Sequence, residues 1–218
     1  MSNRTVQVAD GAQTYVCDGE RWFSSFISLP MVADSACEKN FATLGAARPL
    51  NTDDATLVPR TGGTVGTAAW KLVTRNYPQD ASLPTGCGWH YFGAAVYVNA
   101  PTTVTAEYDS SNELWVWLNG MQVVAESSPL SAPKTVATPL QLKAGWNQFV
   151  FRAHASAGAG KFGFGLASCA TPGTVLRIAP EQLDNTVGAS TRLPMDLSEC
   201  PDRSKSEPCN TQVCPVDC

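Results

Sequence analysis

The sequence predicts an all-β chain: a jelly-roll-like β-sandwich closed by a small disulfide-stapled C-terminal tail. Three observations carry that expectation. Eight short stretches alternate apolar and polar residues with a period of two, as half-buried strands do. Segments rich in Gly, Pro and Ser separate them, including "RTGGTVGT", "YPQDASLPTG" and "SPLSAPK". The last twenty residues, "ECPDRSKSEPCNTQVCPVDC", are polar and dense in cysteine, so they lack the apolar residues for a core of their own and need disulfides.

In chain order the strand candidates are "TVQVA", "WFSSFISL", "AAWKLVT", "HYFGAAVYVNA", "TVTAEY", "LWVWLNGMQVV", "NQFVFRAH" and "KFGFGLAS". One short helix candidate stands among them, "DSACEKNFATLGA", with Asp34 as its cap and Gly45 as its stop. In "AAWKLVT" the alternation sets Trp70 and Leu72 opposite Lys71 and Val73, which makes Trp70 a core residue. Many short strands with turn signals argue for a sandwich or jelly roll. The expected organisation is a sandwich over residues 1–170, an extended linker over 171–197 and the Cys-rich tail over 198–218.

The hairpin "LWVWLNGMQVV" is the most informative stretch. Asn119-Gly120 favours a two-residue type I′ turn, whose central residues both need positive φ. A regular register then pairs Leu118 with Met121, Trp117 with Gln122, Val116 with Val123 and Trp115 with Val124. Leu114, Val116, Leu118, Met121 and Val123 fall on one uniformly apolar face, the natural core face. Glu113, Trp115, Trp117, Gln122, Val124 and Glu126 fall on the other, making Trp115 and Trp117 an amphipathic patch. Three uses fit it: cover by another strand, a loop or the tail; contact with another protein; or stacking of sugar rings, with Glu113 and Gln122 bonding hydroxyls.

Composition narrows the function classes. The chain has 218 residues, 44% of them hydrophobic and only 16% charged, so it can bury a core without a metal. A net charge of −4 with no basic cluster argues against a nucleic-acid partner. No apolar run approaches the roughly 20 residues that span a bilayer. The eight cysteines, Cys17, Cys37, Cys87, Cys169, Cys200, Cys209, Cys214 and Cys218, include no CxxC pair and meet only two histidines. That reads as disulfides in an extracellular setting rather than zinc ligation. The first four are expected to pair among themselves, as are the last four. Asn3-Arg4-Thr5 is a candidate glycosylation sequon. The start, "MSNRTVQVADG", has no apolar signal-peptide core, which leaves the route of export open.

Residues 87–168, through "WVWLNGMQVV", "LQLKAGWN" and "KFGFGL", resemble the sugar-binding-like jelly-roll modules found beside glycoside hydrolases and in the PA14 group. That resemblance implies the fold. Its calcium-dependent members use paired aspartates where this chain has "EYDSSNEL", and only Asp109 and Glu113 remain, so the implied calcium-sugar site is not expected. The tail "PCNTQVCPVDC" resembles the end of a thrombospondin type 1 repeat, without its tryptophan ladder. It implies a modular extracellular protein.

No elbow, P-loop, HExxH or Cys-His pattern points to a reaction. Strand parity puts His154 with Arg152, Val150 and Gln148, opposite Phe149 and Phe151, as an exposed sheet residue. His90, in "CGWHYF", reads as structural. The bare glycine face of "KFGFGL" suits close approach of another backbone. The expectation is a non-catalytic, structural or adhesive extracellular module with no cofactor and no metal. Its partners would be other extracellular proteins, copies of itself or glycans, and its rival reading is a calcium-independent carbohydrate-binding module using Trp115 and Trp117.

Overall fold

The computed structural model describes residues 21–33, 50, 53–75, 83, 86–155, 160–171 and 174–182, with the backbone of Val6–Gln7 and Gln13–Val16. All belong to the first of two compact units, Met1–Leu183; the second, Asp184–Cys218, lies outside the described residues. The helix candidate at 34–46 and the tail lie outside them as well.

The strands are β1 (Val6–Gln7), β2 (Gln13–Val16), β3 (Arg21–Trp22), β4 (Ser25–Ser28), β5 (Val32–Ala33) and, after a 3-10 turn at Asp54–Thr56, β6 (Thr64–Val65). Next come β7 (Ala68–Ala69), β8 (Lys71–Thr74), β9 (Gly88–Val98), β10 (Thr102–Ser110), β11 (Leu114–Leu118) and β12 (Met121–Glu126). The last are β13 (Lys134–Thr135), β14 (Leu140–Leu142), β15 (Gly145–Ala155), β16 (Phe162–Cys169) and β17 (Val175–Ala179). The chain is all-β, and its antiparallel sheets are those of a β-sandwich. No helix among the described residues is long and apolar enough to cross a membrane.

The large sheet runs β1, β2, β17, β9, β15, β11, β12. Strand β15 pairs with β9 over its whole length, and β17, β4 and β5 share the other side of β9, with β8 extending β4. The second sheet runs β13, β10, β16, β3, with β14 also on β10. Alternation along the strands fills the space between the sheets: Phe92, Ala94 and Val96 from β9 and Phe149 and Phe151 from β15 meet Val104 and Ala106 from β10 and Phe162 and Phe164 from β16. Phe23 enters this core edge-on to Phe149 and Phe164, at 5.6 and 5.5 Å between centroids. Such pairs add roughly 0.5–1.5 kcal/mol beyond area burial.

The hairpin at Asn119-Gly120 forms with positive φ at both residues, 51° and 82°. Its register departs from the regular one: Leu118 meets Met121 and Trp117 meets Gln122, but a bulge then sets Val116 opposite Val124 and Trp115 opposite Ala125. The extra residue turns Val124 into the core, while Met121, at the tip of the edge strand, is 63% exposed. The asparagines of "LNG" and "AGWN" lock together. The Asn147 side-chain oxygen accepts from Asn119 Nδ2 (3.0 Å) and from the Lys143 amide (2.9 Å), and Asn147 Nδ2 donates to Lys143 O (2.8 Å).

Residues 171–197 are not wholly a linker. Strand β17 sits between β2 and β9, so the sheet extends past residue 170; its one alternating turn of "VLRIA" is too short to stand out by period alone. Leu72, placed with Trp70 on the core side, is 53% exposed because β8 is an edge strand. The glycine face of β16 admits backbone: a Cβ on Gly165 would lie 2.8 Å from Arg21 O. Cys87 and Cys169 are disulfide-bonded, and the other six cysteines lie outside the described residues. Cys87 precedes β9, while Cys169 pairs with Val104, just after the turn at the other end of that eleven-residue strand, so they belong to different bridges.

Gly93 shows how closely the loop over the large sheet is seated. A Cβ there would lie 2.2 Å from Pro59 Cβ. Gly93→Ala is therefore expected to cost about 1–3 kcal/mol through forced displacement of the 57–60 segment. Urea unfolding measures it, and a loss under 0.5 kcal/mol would mean that Pro59 does not rest on β9.

Candidate functional site

Odd-numbered residues of β9 and β11 and even-numbered residues of β15 point away from the sandwich core. In most antiparallel sheets such a face meets water. Here it carries Trp89, Tyr91, Trp115, Trp117 and Val150, all buried, in a second apolar cluster with Ile27, Leu29, Leu57 and Trp70. The cover is a strap, residues 53–70, made of the 3-10 turn, an extended run and the β6–β7 hairpin. Two local bonds shape its first turn: the Asp53 carboxylate accepts from the Ala55 amide (3.2 Å), and Thr56 N donates to Asp53 O (2.9 Å). On the surface, Thr61 donates its amide and its hydroxyl to Glu181, each at 2.6 Å.

Arg152 stands at the centre. Its register partner is Trp115, so its side chain rises among the indoles. The guanidinium carbon lies 4.3 Å from the Trp115 ring centre, 4.9 Å from Trp89 and 5.5 Å from Trp117. Each is within the roughly 6 Å at which a ring face attracts a cation. Arg152 Nη1 also donates to Asp54 Oδ2 at 2.5 Å, with both side chains buried. Tyr91 Oη donates to the other Asp54 oxygen at 3.3 Å. Burial, then the Asp54 charge, pushes the Tyr91 phenol well above its ordinary range, so it stays a donor.

Two more ionisable groups share the face. Glu113, one residue before β11, and His154 of β15 are both fully buried, and the His154 amide donates to Glu113 O at 3.0 Å. The His154 ring lies 4.7 Å from that of Trp89. Neither Glu113 carboxyl oxygen has a hydrogen-bond partner among the described residues. Burial pushes this carboxyl up to about 7, against the pull of Arg152.

Several sequence expectations change. Trp115 and Trp117 are 8% and 7% exposed, so they are not an open patch and offer no free ring face to a sugar; the strap covers them, and Arg152 takes the ring faces. Glu113 is buried beside them rather than rimming a surface, while Gln122 is exposed on β12. His154 is buried, because the face that alternation assigns to it is covered. His90 packs in the sandwich core, its ring stacked on Phe92 at 6.4 Å; burial, then Arg75 and His154, hold it down at about 4. Trp70 is core, in the outer cluster. Asp109 is buried with its Oδ2 2.7 Å from Lys161 Nζ, an ion pair and not a calcium ligand set. No group of side chains fit for a metal occurs among the described residues, and Asn3 lies outside them.

Sequence reasoning missed Asp54, Tyr91 and Trp89 as members of this cluster. The available signal was Arg152 itself: its strand parity placed it opposite the phenylalanines, and an arginine in line with two tryptophans points to a shared face.

No protein-family model matches the chain, and no curated protein does. Among solved structures it is similar to β-glucuronidase from Ruminococcus gnavus in complex with D-glucaro 1,5-lactone, at 13% identity and TM-score 0.36, over 74% of this chain and 30% of that one. It is also similar to Faecalibacterium prausnitzii β-glucuronidase, at 12% identity and TM-score 0.37, over 75% and 32%. The chain thus spans about a third of the length of those enzymes, and likeness at this level carries no argument about activity. What the architecture defines is a class, an all-β antiparallel sandwich with a second, strapped core. The resemblances to PA14-type modules and to thrombospondin repeats rest on the sequence motifs alone.

Arg152→Met removes the charge at similar volume and leaves Asp54 buried without its cation. The expected loss is about 3–5 kcal/mol in urea unfolding, and adding Asp54→Leu is expected to restore most of it. A loss below 1 kcal/mol for Arg152→Met would contradict the buried pair.

Proposed function

We propose that this chain is a non-catalytic structural or adhesive module of a larger extracellular or cell-surface assembly, bound to other proteins or to copies of itself. The observation that carries the proposal is the use made of the charged and hydroxyl groups beneath the strap. Arg152, Asp54 and Tyr91 are turned inward and spent on bracing a loop against a sheet, with three indoles closing the brace. The disulfide-bonded Cys87 and Cys169, placed toward opposite ends of the sandwich, suit an oxidising compartment and a durable module. In place of Trp115 and Trp117, the partner-facing surface in this reading is edge strand β12. It pairs only with β11 among the described residues and leaves Met121 and Gln122 open. Exposed strand edges are templates for pairing with another chain.

Native mass spectrometry of unreduced, natively purified protein tests this reading. A defined oligomer or a co-purifying chain is expected, and Met121→Lys is expected to weaken that association at least tenfold without lowering thermal stability. Reduction should lower the melting temperature by roughly 10–30 °C, from two bridges worth about 2–4 kcal/mol each. A monomer at 23.2 kDa that is indifferent to reductant would overturn the reading.

A further inference from the structure

Among the described residues, the buried face beneath the strap holds the carboxyl groups of Asp54 and Glu113 and the guanidinium of Arg152. Asp54 takes the cation directly at 2.5 Å, whereas Glu113 is fully buried and its oxygens have no hydrogen-bond partner among the described residues. Glu113 is the register neighbour of His154, two residues along β15 from Arg152, and Arg152 is the charge that acts on it. We propose that Glu113 is the trigger of a charge-competition latch: protonated, it leaves the Arg152–Asp54 pair intact and the strap closed; ionised, it competes for Arg152 and releases Asp54 with the start of the strap.

The direction of release follows from how each carboxylate is held. Glu113 abuts β11, whose backbone is paired on both sides, by β12 and by β15. Asp54 stands on a three-residue 3-10 turn whose backbone bonds are local, Thr56 N to Asp53 O and Leu57 N to Asp54 O. Two anions cannot share one buried cation cheaply, so the weaker support yields and Asp54 reaches water. Among the described residues, the ionisable groups on the same face as Glu113 are Arg152 and His154 from β15, Asp54 from the strap and Tyr91 from β9. Tyr91 stays protonated throughout, and His90 lies on the opposite face of β9 and titrates near 4, outside the window.

The sign is set by burial. The Glu113 carboxyl is raised from 4.5 to about 7, so its contribution to stability is complete below pH 4.5 and is lost as pH rises through about 7. Opening the strap uncovers Trp89, Trp115 and Trp117, whose fluorescence reports it.

The experiment is acrylamide quenching of tryptophan emission on the full, unreduced chain from pH 5.5 to 9, beside a 13C NMR titration of the Glu113 carboxyl in the same protein. The expected result is a two- to threefold rise in quenching with its midpoint near pH 7, coincident with the Glu113 titration. Glu113→Gln, which stays neutral, is expected to abolish the rise while remaining at least as stable as the wild type at pH 5.5. Flat quenching in the wild type, a rise that persists in Glu113→Gln, or midpoints more than one pH unit apart would each overturn the latch. The NMR comparison needs no variant, so the proposal stays testable if Glu113→Gln does not fold.

Discussion

A guanidinium cannot be neutralised by losing its proton, so a buried arginine obliges its surroundings to supply a partner and to keep water away from both. Arg152 places that obligation on the outer face of the large sheet. Asp54 answers it with a carboxylate, and the indoles of Trp89, Trp115 and Trp117 answer it with their ring faces. Because Asp54 belongs to the strap, satisfying the charge also brings Leu57 and Trp70 down over the tryptophans and builds the second core. Strands β9, β11 and β15 are consequently buried on both faces, which is unusual for antiparallel strands.

The ends of those strands are fixed by different means. At the hairpin tip, Asn119 Nδ2 donates to the Asn147 side-chain oxygen and Asn119 Oδ1 accepts from the Gln148 amide, so the β11–β12 turn is tied to the start of β15. A Cβ on Gly120 would lie 3.1 Å from Ala55 O, which brings the same turn against the strap. At its far side the strap is held by Thr61 on Glu181, just beyond β17. The face is thus clamped at its margins and charge-matched at its centre. Glu113 is its one fully buried carboxyl with no hydrogen-bonding group set against it among the described residues.

Much of this was legible from residue order. Alternation located the long strands, the Asn-Gly pair located the hairpin, and parity set Arg152 and His154 on the face opposite Phe149 and Phe151. The bulge between Val116 and Trp117 was not legible, because one inserted residue leaves the apolar content of "MQVV" unchanged while putting Val124 in place of Val123 opposite Val116. The covering of the tryptophans was hidden for a different reason. Asp54, Leu57 and Pro59 lie in a stretch with no period, and long-range contacts such as the ion pair to Arg152, 98 residues away, give that loop its place. Strand β17 escaped notice because it is short and its neighbours are β2 and β9, both distant in sequence.

The central claim is that the Arg152 side chain is caged between indoles and bound to Asp54. NMR of the arginine side chains in the unreduced protein tests it most directly. The account predicts Arg152 methylene and guanidinium protons shifted strongly upfield by ring currents, cross-peaks to Trp89 and Trp115, and slowed rotation that separates its two Nη signals. Arg152 resonances at ordinary exposed-arginine positions, with fast rotation and no contact to an indole, would contradict it.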